Sequence, residues 1–132
     1  MITIAHEYFV SLEVAKLLKE AGFKWFINTA YRDGVLMRQG NLLCDNFNGK
    51  QYENAARHEF FSAPTLDVAQ RWLRETQKYQ VAVLPNGLKG YAALCFLYKE
   101  PITQPFEHYS TYEEALEVGI KRVLEIILEK GE

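Results

Sequence analysis

Apolar positions recur along this chain in three helical stripes, separated by stretches in which aromatic and β-branched residues cluster or alternate. Val14, Leu17, Leu18 and Ala21 are spaced three and four apart and predict a helix over 12–21. Ser11 stands at its N-cap, where a hydroxyl accepts a backbone N–H of the first turn. Glu13 complements the helix dipole, and Gly22 falls where a left-handed residue ends a helix. Leu66, Ala69, Trp72 and Leu73 predict a second helix over 66–76, capped by Thr65, with Pro64 holding Ala63 extended. Tyr112, Ala115, Leu116, Gly119, Ile120, Val123, Leu124 and Ile127 predict a third helix to about residue 128. Ser110 and Thr111 each precede a Glu by three residues, the spacing of a capping box. A glycine costs a helix ~1 kcal/mol against alanine, so Gly119 on the apolar stripe predicts close approach by another backbone.

Between the helices, 23–32 reads as extended, Asp33-Gly34 as a type I′ turn, and 35–38 as the return strand. Residues 40–50 carry Asn41, Asp45, Asn46, Asn48 and Gly49, a turn-rich loop. Residues 51–62 show one extended piece around Phe60-Phe61. Strands follow at 79–84 and 91–98, joined by a turn over 85–90. Pro101 and Pro105 leave room only for a short edge strand at 106–108. The sum is one α+β domain of order α-β-β-α-β-β-(β)-α, with three helices packed on an antiparallel or mixed sheet of four to five strands. Its core should include Leu18, Ala69, Trp72, Leu73, Val81, Val83, Leu116, Ile120 and Val123. The opening phrase Ser11-Leu12-Glu13-Val14-Ala15 returns as Thr65-Leu66-Asp67-Val68-Ala69 and, more loosely, as Thr111-Tyr112-Glu113-Glu114-Ala115. Two related α-β-β units, 11–39 and 65–98, closed by a helix at 111–128, would account for it.

Composition sets the class. The 132 residues are 48% apolar and 24% charged, ordinary values for a globular domain. No apolar run reaches the length of a membrane span, and the first residues lack the basic start and cleavage pattern of a signal peptide. Cys44 and Cys95, both in apolar surroundings, are too few for a disulfide framework, which predicts a reduced, cytoplasmic protein.

Candidate chemistry is sparse. His6, His58, His108, Cys44 and Cys95 share none of the short spacings that put metal ligands on one turn or helix face, so no metal or other cofactor is expected. Cys44 has neither a base nor a cation beside it, and the serines and threonines are better explained as caps than as nucleophiles. Glu113, Glu114 and Glu117 read as dipole complements on a wet helix face. These observations predict no catalytic residues and a non-enzymatic protein, with a small-molecule enzyme near His58 or His108 as a remote alternative.

Charge is segregated. Residues 57–89 hold Arg57, Arg71, Arg74, Lys78 and Lys89 against Glu59, Asp67 and Glu75, whereas residues 100–132 hold eight Glu against Lys121, Arg122 and Lys130. The order of elements from Thr65 to Leu128 is similar to that of double-stranded-RNA-binding domains. Those domains present lysines at the start of their last helix, and here the matching place holds Glu113, Glu114 and Glu117. Nucleic acid is therefore an unfavoured partner, with Arg71, Arg74 and Lys78 as its one basic face. The aromatic supply exceeds the needs of one small sheet. Trp25 and Tyr31, with that basic face, are the candidate contacts for a protein partner or a second copy.

The phrases Ala63-Pro64-Thr65-Leu66, Ala69-Gln70-Arg71-Trp72-Leu73-Arg74-Glu75 and Thr111-Tyr112-Glu113-Glu114-Ala115-Leu116-Glu117, with Gly119-Ile120 and the segment from Glu13 to Phe23, resemble a family of small proteins of gut Bacteroidetes and their phages and mobile elements. The family carries no transferable activity. The resemblance implies an accessory gene product of a mobile element; the lack of a catalytic grouping, the aromatic surplus and the segregated charge predict an interaction or adaptor module.

Overall fold

The computed structural model describes residues 7–38, 44–53, 58–88, 90–102 and 106–131, with the backbone alone for 106–108. The three predicted caps all form. Ser11 Oγ accepts from Val14 N–H at 3.2 Å and starts α1 (Leu12–Glu20). Thr65 Oγ1 accepts from Val68 N–H at 3.3 Å and starts α3 (Leu66–Thr76), after a short α2 (Lys50–Glu53) that the sequence does not announce. Thr111 Oγ1 accepts from Glu114 N–H at 3.0 Å and starts α4 (Tyr112–Lys130). Glu114 takes the Ser110 hydroxyl rather than a backbone N–H, so the box closes through two side chains. Gly22 has φ +97°, the left-handed position expected after α1.

The strands form two antiparallel sheets, not one. Strands β1 (Thr29–Arg32) and β2 (Val35–Arg38) make the predicted hairpin, with φ 52° at Asp33 and 83° at Gly34 as a type I′ turn requires. Strand β3 (Phe60–Ser62) pairs with β1, giving the order β2-β1-β3. The second sheet pairs β4 (Tyr79–Asn86) with β5 (Gly90–Leu97), and two short pieces complete it. These are β6 (Glu100–Pro101) at Phe96 and Leu97, and β7 (Phe106–Tyr109) at Tyr91 and Ala93. The expected single sheet fails for a physical reason. Each hairpin recruits its third strand from the segment that follows it, the first on β1 and the second on β5, so the two hairpins do not pair with each other. The extended reading of 23–32 also narrows to β1, with Ile27 making one bridge to Asp45.

Helix α4 joins the layers. It lies on β4, β5 and β7 and touches α1 and α3, while α1 rests on β3. Of the nine expected core residues, eight are buried, and Val83 is half-buried against the same cluster. Gly119 is close-packed for a reason that differs from the expected one. A Cβ there would stand 2.5 Å from Val81 Cγ1 and 3.3 Å from Ala93 Cβ, so side chains of the second sheet, not a backbone, fill the space. The loop read as turn-rich supplies Phe47 to the interior at 2% exposure. Asn48 explains how that loop is held: its Nδ2 donates to Phe23 C=O and its Oδ1 accepts from Ser62 N–H, both at 3.0 Å.

Candidate functional site

The structure separates the residues expected to meet a partner. Trp25 and Arg71 come together, the guanidinium lying 5.1 Å from the indole centroid, and Arg71 also faces Glu75 at 3.6 Å. Lys78 folds back to donate to Glu75 C=O, and neither it nor Arg74, both exposed, has an ion pair among the described residues. Tyr31 belongs elsewhere: its hydroxyl donates to Val10 C=O at 2.7 Å. The proposed basic face is thus reduced by internal contacts.

A more developed site lies where the helices begin. The segments leading into α1 and α3 pair with each other, Val10 N–H donating to Pro64 C=O and Leu66 N–H to Tyr8 C=O. The α1 start lacks an acid three residues after its cap, so its Ser11 N–H has no local carboxylate. Glu117 of α4 supplies one at 2.7 Å. The starts of α1, α3 and α4 are therefore gathered at one end. Two adjoining hollows of about 520 Å³ and about 310 Å³ open there, sharing Glu7, Tyr8, Leu66 and Glu113. The larger adds Phe9, Tyr31, Leu36, Thr111, Glu114 and Glu117, and the smaller adds Thr65, Asp67, Tyr112 and Leu116. An apolar and aromatic floor is rimmed by carboxylates. Arg38 answers one of them, Glu7, at 2.7 Å, while Asp67 and Glu113 have no ion pair among the described residues. Burial, and after it the Glu117 charge, hold the Tyr31 hydroxyl above the usual tyrosine range.

Strand β2 forms one bank of this groove, and its backbone is half unused. Thr29 C=O accepts from Ala63 N–H and Asp33 N–H donates to Glu59 C=O, so these alternate positions of β1 aim at the β3 side. Ala30 and Arg32 therefore aim at β2, opposite Met37 and Val35. Leu36 and Arg38 then turn their N–H and C=O groups away from β1, to an edge that carries no strand among the described residues. Val35 is 59% exposed and Leu36 41%, and all four residues of β2 are exposed. The Asp33-Gly34 turn signal revealed the strand, but no sequence signal marks which edge stays open.

The remaining candidates offer less. His58 Nδ1 lies 2.6 Å from Asp33 Oδ2 beside a shallow hollow of about 290 Å³ with Lys19, Tyr52, Glu53, Glu59 and Phe60. Tyr52, the hydroxyl in that set, is engaged with Asp45 at 2.6 Å, which pushes its pKa up to about 12. His6 and the side chain of His108 lie outside the described residues, as does Asn41. Cys95 is buried on β5, and Cys44 is exposed, which corrects its expected apolar setting. Among the described residues no group of three His, Cys, Asp or Glu is placed to hold a metal, and no helix is long and apolar enough to cross a membrane.

Comparison with protein families, curated proteins and solved structures finds no match to this chain.

Proposed function

We propose that the protein is a non-enzymatic interaction module that docks a protein partner along β2 and the groove beside it. The observation that carries this reading is β2 itself. It presents exposed Val35, Leu36 and Met37 together with outward backbone groups that have no partner among the described residues, beside a groove lined by Tyr8, Tyr31 and Leu66. Soluble domains blunt an open apolar edge with charge, proline or a covering segment, and an edge left open is the template used for strand addition. Exposed Tyr8 and Tyr112 extend the apolar surface, and tyrosines anchor interfaces at low conformational cost. An accessory role in a phage or mobile element, within the cytoplasm, is part of the same proposal.

Differential capture tests the reading. The wild-type chain and a Tyr8→Ala/Leu36→Asp double variant serve as baits in a lysate of the producing cells. A defined protein retained by the wild type and lost with the variant is expected. Equal retention by both baits, or recovery of no protein by either, contradicts it.

A further inference from the structure

Resting on that docking reading, we infer that the partner segment is extended, bears lysine or arginine, and adds to β2 as a fourth strand of the first sheet. Three observations converge on this chemistry. The outward N–H and C=O groups sit at Leu36 and Arg38, two residues apart, the repeat at which an added strand offers its own backbone groups. A strand laid there sends alternate side chains to the face that holds Leu36 and Tyr31, which are cross-strand neighbours and line the larger hollow. Glu113, Glu114 and Glu117 stand on the same hollow, and Glu113 has no ion pair among the described residues. Arg38 is spoken for by Glu7, so the rim keeps a negative balance that a cationic side chain would complement.

A second copy fits less well. Pairing of two identical β2 edges would be isologous and would carry an equally acidic rim to the same junction. A nucleic acid meets the same repulsion. An apolar or aromatic residue between two cations has its place on the floor formed by Tyr8, Phe9 and Leu66.

The test uses a fluorescent peptide of alternating Lys and Val with one central Phe, a matched peptide with Glu at every Lys position, and the full chain. Anisotropy titrations should show the Lys peptide binding at least roughly tenfold more tightly than the Glu peptide, a difference of about 1.4 kcal/mol. Its affinity should fall as salt rises from about 50 mM to about 500 mM, since Glu114 on the rim is exposed and Glu113 and Glu117 are only half-buried. Leu36→Pro removes an outward N–H without breaking a β1–β2 bond, and should weaken binding roughly tenfold. Glu113→Lys/Glu114→Lys should do the same. Slowed amide exchange at Leu36 and Arg38 on adding the Lys peptide gives a readout that needs no substitution. Equal binding of the Glu peptide with loss in Leu36→Pro overturns the cationic assignment and leaves the docking reading standing. Lys-peptide binding that ignores the β2 substitution and leaves both amides exchanging as before overturns strand addition. Binding of neither peptide overturns the inference, and the capture experiment then decides the docking reading on its own.

Discussion

Trp72 meets Phe23 edge-on at a centroid distance of 5.4 Å, and Phe23 in turn leans on Trp25 at 6.2 Å. Trp72 is 3% exposed and Phe23 fully buried, so the indole is the largest single piece of the interior that one substitution removes. Trp72→Ala should cost ~3–5 kcal/mol, read as a lower denaturant midpoint at unchanged slope. A midpoint equal to that of the wild type refutes the packing described. Trp72 was legible as core because it lies on the stripe of its own helix, whereas Phe47 was not, because a turn-rich loop carries no period to read. The carboxylates give a second prediction. The Tyr52 hydroxyl, and after it Asn46 N–H, hold the Asp45 carboxyl below its ordinary value of 3.8. The Glu59 N–H and the His58 ring do the same for Asp33. Depressed carboxylates contribute stability that is present above pH 3.8 and lost as pH falls through their lower folded values. Tyr52 is the opposite case: its folded value is raised from 10.0 to about 12, so its contribution is whole below pH 10.0 and lost as pH climbs toward 12. Melting temperatures across pH should fall on both flanks, and Tyr52→Phe should flatten the alkaline flank and soften the acid one. Both flanks unchanged in Tyr52→Phe contradict the assignment.

At the scale of elements, local chemistry was read well and pairing was not. The three caps, the Asp33-Gly34 turn and the short strand after Pro105 depend on neighbours within a few residues, and all are found where expected. The bond from Ser11 N–H to Glu117 spans 106 positions, and nothing in either residue's neighbourhood announces it. Helix α4 against the second sheet supplies a prediction. Gly119→Ala forces a methyl against Val81 Cγ1, and overpacking of this kind costs ~1–3 kcal/mol. Val81→Ala makes room, so the double variant should lose less than the two single losses added together. Strict additivity places the contact elsewhere. The β1–β2 hairpin supplies another. Proline at Met37 deletes a ladder bond to Ala30 and should cost ~1–3 kcal/mol, whereas proline at Leu36 deletes an unused donor and should leave the melting temperature within a few degrees of wild type. Equal losses at the two positions contradict the register.

The whole molecule is an α+β domain in which α4 touches α1, α3 and the second sheet while α1 rests on the first. Fold class, the three long helices and the two hairpins were therefore available from periodicity and turn chemistry, whereas α2 and β6 were not. The division into two sheets was not, because the choice of partner strand is made by long-range contacts that one sequence does not display. The groove was hidden for the same reason. Its members Glu7, Tyr8, Leu36, Leu66, Glu113 and Glu117 come from four separate stretches, and acids that look like ordinary dipole complements become a rim only when three helix starts are gathered together. The basic face legible in sequence, by contrast, is partly consumed by Glu75 and Trp25.

The open edge of β2 is the claim on which the functional account rests, and residue-resolved amide exchange of the unliganded protein tests it most directly. Val35 and Met37, bonded to β1, should exchange slowly, and Leu36 and Arg38, facing outward, should exchange at rates near those of an unstructured chain. Leu36 and Arg38 protected as strongly as Met37 would mean that the edge is already covered, and the account would be wrong.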